Sequence, residues 1–390
     1  MAAALILTMQ ISASTAPEIP AVTDRTVLCL HGTRSMNRRV ALFFECLQRD
    51  GFGVRIFALP RHRWIFDKSD APLDLQRTGR CTAEIGLASS ASKASAIFCF
   101  HWAVLPFAVL LGLLRGIPVI YDEHDHYELN TLEGSGPRLK LLLFSRCVRW
   151  IHRLCLPWVA LVTCIHQSHS TLLLHLQRWQ HNIVELHNYP SQIWRNTSPG
   201  ILLSDRLCFV YIGGVYAEKG VLTAADAFEL LPDSLKQQAE LHVFGDGDKA
   251  VIEQLQKRAG LHVHNNVAPV VFRQFAVQHR CVGLALLADT PRYQLVGTNC
   301  TKLWEYLALG MPVIVSDVGE LSRAVTESQA GLEINARLDP SDIAAAMLTL
   351  LQNPAATHDM SQRAAALMKQ QGMTWEDEWQ KVRNSLPAFQ

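Results

Sequence analysis

The sequence predicts an α/β protein of two doubly wound parallel sheets, and three observations carry that reading. Short apolar runs of strand length alternate with helix-length segments from Thr26 onward. The alternation breaks at Asn188-Tyr189-Pro190 and the following SQIWRNTSPG, then starts again with LCFVYIGG. The 390 residues are long for one domain and comfortable for two of roughly 190 each. We therefore divide the chain into residues 1–195 and 196–390, with the last helix in a position to fold back on the first unit.

In the first half, TVLCLH reads as a strand, GTRSMNRR as a polar turn and VALFFECLQRDG as a helix ending at Gly51. GVRIFAL returns as a second strand. SAIFCF (95–100), PVIYD (118–122), LVTCI (161–165) and IVELH (183–187) continue the pattern. Ligands of such sheets bind past the carboxyl ends of the strands, so Gly32–Arg39 and Tyr121–Glu128 are the places for chemistry. In the second half, LCFVYIGG and ELHVFGDGD each give a strand and a Gly-rich turn. VLTAADAFELL is a helix with Leu222, Ala225 and Phe228 at helical spacing. VGLALLA (282–288) and GLEI (331–334) are strands, and helices at about Pro340–Gln352, Pro354–Gln371 and Thr374–Leu386 close the chain.

Composition narrows the function classes. The chain is 49% hydrophobic with a net charge of +1, which supports a packed core and gives no sign of a nucleic-acid partner, so none is expected. Ten cysteines are scattered without a CxxC or zinc-like spacing, as expected for buried thiols in a reducing cytoplasm. The longest apolar runs, Trp102–Leu114 and Leu154–Ile165, contain Pro106 and Pro157 and fall short of the ~20 residues that span a bilayer. MAAALILTMQISASTAPEIP lacks basic residues ahead of its apolar patch, so it reads as a flexible leader and not a secretory signal.

The segment Thr298–Asp317 is the most informative. Leu303 and Leu307 lie four apart on one helical face, and Lys302 and Glu305 lie three apart on another. Gly310 ends the helix, and Met311-Pro312-Val313-Ile314-Val315 follows as a buried parallel strand. Backbone N–H groups around Asn299, Cys300 and Thr301 would favour a phosphate, with the Lys302 ammonium beside them. Glu305, an acceptor when ionised, suits the hydroxyls of a ribose on that phosphate. The competing reading is a solvated Lys/Glu helix face.

TKLWEYLALGMPVIVSD resembles the nucleotide-binding element of the GT-B-fold glycosyltransferases related to glycosyltransferase family 4 (glycosyl transferases group 1). There a Lys-Leu-Phe-Glu-Tyr-like segment precedes Gly and Pro-Val-Ile. Asn37-Arg38-Arg39-Val40, Tyr121-Asp122-Glu123-His124 and the interdomain His187-Asn188-Tyr189-Pro190 look like segments of the same transferases. Gly213-Gly214-Val215-Tyr216-Ala217-Glu218-Lys219-Gly220 is similar to their Gly-Arg…Lys-Gly phosphate loop. The similarity is strong over 208–335 and loose over 26–190.

The resemblance implies two Rossmann-like domains facing across a cleft. It implies transfer of a sugar from a UDP- or GDP-sugar to a glycan or lipid-linked acceptor in polysaccharide biosynthesis, retaining and metal-independent, with no cofactor beyond the donor. The roles it implies are Glu305 on the ribose, Lys219 and Lys302 on the diphosphate, and His124 on the donor sugar. Gly213, Gly214, Gly245, Asn299, Cys300 and Thr301 would line the donor site, and Gly32 and Arg38 would form the acceptor-side loop. Two positions depart from the family pattern: Gly297 replaces a Glu eight residues before the ribose Glu, and Gly214 replaces the usual Arg.

Other readings stay open at this level. His124 and His126, alternate residues of an extended segment, could converge with the carboxylates of 122–128 on a metal, as in a hydrolase, or form a hydrogen-bonded structural cluster. The two departures also suit a degenerate GT-B module that binds without catalysis. Asp246-Gly247-Asp248 reads as a tight turn with Asp248 as an N-cap, at best a wall of the nucleotide site. No Gly-x-Gly-x-x-Gly fingerprint supports a dehydrogenase. Arg146, Arg149 and Arg153, with Arg138 and Lys140 nearby, form a basic stripe among Leu141–Phe144 and Trp150. That stripe could rest peripherally on anionic lipid at the inner face of a membrane, or could be an ordinary solvated face.

Overall fold

The computed structural model of the protein describes residues 25–31, 38–58, 75–77, 94–125, 127, 137–165, 175–196, 203–265, 267–294, 300–319, 321–370 and 372–389. They form two separate all-parallel sheets flanked by helices. The first comprises β1 (Thr26–His31), β2 (Gly53–Ala58), β3 (Leu75–Arg77), β4 (Ala94–Cys99), β5 (Val119–Glu123), β6 (Leu161–Cys164) and β7 (Ile183–Glu185), in the order β3-β2-β1-β4-β5-β6-β7. The second comprises β8 (Leu207–Ile212), β9 (Ala239–Phe244), β10 (Leu261–His264), β11 (Arg280–Ala285), β12 (Val313–Ser316) and β13 (Gly331–Ile334), in the order β10-β9-β8-β11-β12-β13. In each sheet the winding reverses beside the first strand, between β1 and β4 and between β8 and β11. Such a reversal opens a crevice at the carboxyl ends of the strands.

The doubly wound reading holds in both halves because the central strands are apolar on both faces. All six residues of β8 are buried, as are all five of β5 and all four of β6 and β12. Two edge strands escape the sequence reading. β3 has three residues, too few to show a period. β10 reads LHVH, and its histidines, His262 exposed and His264 partly covered at the sheet edge, mask the strand pattern. β11 begins two residues earlier than expected and stops at Ala285, after which 286–290 leaves the sheet as a loop. Pro312 stays outside β12, and its carbonyl accepts the Gly283 N–H.

The last helix, Trp375–Ser385, returns to the first sheet. Trp375 and Trp379 are fully buried among Phe43, Phe98 and Phe100, and Phe389 closes the same cluster. The Trp379 indole N–H donates to Asp50 at 2.7 Å. Thr374 caps this helix by accepting from the Asp377 N–H. Along its approach, the Trp375 N–H donates to the Pro190 carbonyl, and Glu378 accepts from the His187 N–H. The segment 187–190 is thus held by the C-terminal helix on one side. On the other, the Tyr189 ring meets Trp304 edge-on with centroids 4.8 Å apart.

Removing a buried tryptophan of this size costs ~3–5 kcal/mol. Trp379→Ala should therefore destabilise the first sheet although it lies near the end of the chain. A urea midpoint lowered by the equivalent of ~3 kcal/mol is expected, and an unchanged midpoint would show that the C-terminal helix is dispensable there.

Candidate functional site: a buried cationic turn beside a titratable carboxyl

The helix Thr301–Ala308 positions most of the predicted site residues. Leu303 and Leu307 are fully buried in the second-sheet core, as their spacing required. Tyr306 fixes the helix more sharply. Its ring lies where a Cβ on Gly283 would sit, 2.3 Å from the nearest ring atoms, so β11 accepts it only because residue 283 is glycine. Its hydroxyl accepts the Ile212 N–H at 2.8 Å, tying the helix to the last residue of β8.

The turn after β8 is built to approach that helix. Gly213 has φ +130°, a conformation that favours glycine. The Tyr211 hydroxyl donates to the Gly214 carbonyl at 2.9 Å. A Cβ on Gly245 would fall 1.9 Å from the Gly213 carbonyl oxygen, so Gly245 shapes the turn by letting the loop after β9 press against it. A side chain at 214 would meet the Tyr216 ring at 2.8 Å, so an aromatic ring covers the direction in which the family's Arg would leave. Gly220, at φ +73°, then opens the helix Val221–Glu229. Asp246 and Asp248 are spent on this turn: Asp246 accepts the Gly247 N–H, and Asp248 caps the helix Lys249–Gln256 through the Ala250 N–H.

The two predicted lysines meet at this turn. The Lys302 ammonium sits over the Tyr211 ring, 3.9 Å from its centroid, and lies against Gly213. Burial lowers the Lys302 pKa, with Cys300, Tyr293 and Glu305 opposing the shift. The Lys219 ammonium donates to the Tyr293 hydroxyl at 2.6 Å. Burial raises the pKa of the Cys300 thiol, at the N-cap of the 301–308 helix, while both lysines pull it down. Lys219, Tyr293, Cys300, Thr301 and Lys302 are therefore gathered at one helix N-terminus.

Glu305 is 8% exposed. Burial pushes its carboxyl up to about 7, even against Arg38, Arg273 and Lys302. Arg38 Nε is 3.7 Å from Glu305 Oε1, and Arg38 and Arg273 each lie 5.5 Å from the Trp194 ring centroid. Arg38 was expected on an acceptor-side loop. It is instead the first residue of the helix Arg38–Arg49 and reaches the second sheet's carboxyl, because the helix start directs consecutive residues 38 and 39 to different sides.

Arg39 turns into the first sheet. It holds both oxygens of Asp122 through Nε at 3.1 Å and donates Nη1 to the Leu186 carbonyl and to Asn188 Oδ1, each at 3.0 Å. Thr163 donates to the same Asp122 at 2.7 Å. Burial alone would raise the Asp122 pKa, but Arg39 and His124 outweigh it and hold the carboxyl well below the usual range. Asp122 Oδ2 in turn lies 3.4 Å from His124 Nδ1, and His124 Nε2 is 3.2 Å from the Tyr127 hydroxyl. Glu123 points inward to Tyr121 and His152. Both carboxylates that the metal reading of 122–128 needs most are thus already engaged by protein groups. His126, Glu128, Gly32, Gly297 and Asn299 lie outside the described residues.

Sequence reasoning missed Tyr211, Tyr293, Tyr306, Arg273 and Trp194. They come from five separate elements, and no spacing links them. Tyr293 alone lies near a position the sequence singled out, in the stretch that leads to Gly297.

Comparison with known proteins agrees with this fold. Residues 206–353 match the family described as glycosyl transferases group 1. Over 178 residues the chain is 29% identical to a glycogen synthase of Mycobacterium tuberculosis, a match covering 44% of this chain and 39% of that relative's length. Among solved structures, the Anabaena HepE complex with UDP and glucose superposes with a TM-score of 0.67 at 13% identity, over 92% of this chain and 98% of that one. WaaG, a glycosyltransferase of lipopolysaccharide biosynthesis, gives 0.64 at 15% identity, over 92% and 99%. The second sheet and its helices are therefore similar to the glycosyl transferases group 1 family, in a chain whose two halves together have the GT-B fold.

Proposed function

We propose that the protein transfers a sugar from a nucleoside diphosphate sugar to a glycan or lipid-linked acceptor in polysaccharide assembly. The observation that carries this reading is the gathering of Lys219, Lys302 and a helix N-terminus beside buried Glu305. Departure of the nucleotide leaves negative charge on the β-phosphate. Two fixed ammonium groups and the positive end of the helix dipole stabilise that charge without reorganising. These cations take the part that a divalent ion would otherwise play, so the transfer is metal-independent and needs no cofactor besides the donor. Glu305 accepts the ribose hydroxyls, with Arg38 and Arg273 compensating its charge. His124, braced by Asp122, hydrogen-bonds the donor sugar near the anomeric carbon. With Asp122 held by Arg39 and Glu123 turned inward, neither offers a free base, which favours retention of configuration at that carbon. HepE is solved with UDP, and UDP is accordingly the donor nucleotide we favour over GDP.

Peripheral membrane contact is part of the same proposal. The helices Leu105–Arg115 and Arg138–Cys155 lie side by side and present Leu114, Leu139, Phe144, Trp150 and Leu154 to solvent, and Trp158, in the turn that follows, is 60% exposed. Arg146, Arg149 and Arg153 stand among them, and Arg153 lies over the Trp150 ring. Apolar anchors interleaved with arginines suit a leaflet with anionic headgroups, where a lipid-linked acceptor would be found. Among the described residues, no helix is long and apolar enough to cross a membrane.

Three outcomes are expected. UDP should raise the thermal midpoint of the wild type but not of Glu305→Ala. Lys219→Ala should lower donor turnover, read as UDP release, by ~10²–10³-fold at a nearly unchanged midpoint. Normal turnover in Lys219→Ala would remove that lysine from the mechanism, and stabilisation by UDP without turnover would mark a binding module instead.

The second outcome concerns pH. Because the folded Glu305 carboxyl titrates near 7, above its ordinary 4.5, the folded state holds this proton more tightly than the unfolded one. Its contribution to stability therefore falls as pH rises from 4.5 through about 7. Glu305→Gln should be more stable than wild type at pH 8 by about 1–3 kcal/mol. UDP affinity of the wild type should rise between pH 6 and 8 as the acceptor form appears, and a flat profile would contradict the ribose role.

Third, vesicles containing anionic phospholipid should co-sediment the protein, and neutral phosphatidylcholine vesicles should not. Arg146→Glu combined with Arg153→Glu should abolish that binding, whereas retention at wild-type level would remove the stripe from the interface.

A further inference from the structure

A second cluster of reactive side chains lies at the opposite end of the second sheet from the nucleotide turn. Cys208, Glu240 and Cys281 are each the second residue of their strand, and the pairing sets them side by side on β8, β9 and β11, with Cys208 in the middle. His242, two residues along β9, shares the face of Glu240. The helix Pro269–Gln278 covers this face with Phe272 and Phe275. Cys208 and His242 are buried, and Glu240 is partly open to solvent.

The geometry points to a transition-metal site of the zinc class, in which Cys208 Sγ, Glu240 Oε2 and His242 Nε2 are the protein ligands and water completes the set. The three atoms lie within 4.8 Å of one another, with His242 Nε2 to Glu240 Oε2 at 3.1 Å and Cys208 Sγ to Glu240 Oε2 at 4.0 Å. A tetrahedral centre with bonds of about 2.3 Å to sulfur and about 2.0 Å to nitrogen or oxygen places its ligands about 3.3–3.5 Å apart. The observed separations bracket that range, so small side-chain movements close the site. Thiolate, imidazole and carboxylate together favour Zn²⁺ or Co²⁺ over Mg²⁺ or Ca²⁺.

Groups behind the ligands are arranged to match. Arg206 donates to the other Glu240 oxygen at 2.8 Å, leaving Oε2 for the metal. His242 Nδ1 lies 3.0 Å from His264 Nε2. In one tautomer His264 Nε2 accepts the His242 Nδ1–H. That tautomer turns the His242 Nε2 lone pair toward Glu240 and Cys208, an arrangement that a cation between them satisfies. Binding the metal as thiolate releases the Cys208 proton to solvent.

Because this site is remote from the nucleotide turn, its test is independent of sugar transfer. Chelator-treated, reduced full-length protein should bind one equivalent of Co²⁺ with a thiolate-to-metal charge-transfer band, and Zn²⁺ should displace it. Cys208→Ser should lose the band while Cys281→Ser keeps it. Glu240→Gln, a change at the partly open ligand, should weaken Co²⁺ binding at least tenfold even if Cys208→Ser fails to fold. Absence of the band in the wild type, its survival in Cys208→Ser, or unchanged affinity in Glu240→Gln would overturn the assignment.

Discussion

The seating of Tyr306 on Gly283 is the contact on which the candidate site depends. It presses the helix Thr301–Ala308 against β11 and, through one hydrogen bond to Ile212, against the end of β8. The bond itself is worth only about 1 kcal/mol. Its importance is geometric, since it fixes where Lys302 and Glu305 leave the helix and how near the Gly213 turn can come. A side chain at 283 would expel the ring. The ammonium over Tyr211, the carboxyl beside Arg38 and the helix N-terminus at Cys300 would then move together.

Charges placed in so little water are costly, and the chain offsets that cost differently in its two halves. In the first sheet, Asp122 is fully compensated by Arg39, Thr163 and His124, which keeps it ionised and fixes the base of the His124 network. In the second, Glu305 is compensated only in part, which leaves its carboxyl able to titrate near neutrality. Full pairing makes a brace, whereas incomplete pairing leaves a group ready for a ligand. Arg38 and Arg39, adjacent in sequence, serve one half each. The two units are further joined by the C-terminal helix, whose tryptophans belong to the core of the first sheet although the helix follows the second.

Much of the fold was legible because a parallel strand buried on both faces leaves an uninterrupted apolar run, and because glycine and proline mark where such runs stop. β5, β8 and β12 announced themselves in this way, as did the cap at Asp248. β3 and β10 did not, being short edge strands whose partners lie elsewhere in the chain. Within the site, Lys302 and Glu305 could be paired by helical spacing, and Lys219 by its place after a glycine turn. Tyr211, Tyr293, Arg273 and Trp194 had no local signature, since what selects them is the neighbour that folding brings to them.

Sequence by itself determined two doubly wound sheets, the break near residue 190, and a helix bearing a lysine and a glutamate ahead of a buried strand. These follow from periodicity and from the backbone limits of glycine and proline, which act over a few residues. Only the tertiary structure decided that Arg38 meets Glu305, that Asp122 is consumed by Arg39, and that Cys208, Glu240 and His242 converge. Each of those contacts joins residues from different elements, and burial then sets their charge. Neither the partner nor the loss of water is encoded within any one stretch of the chain.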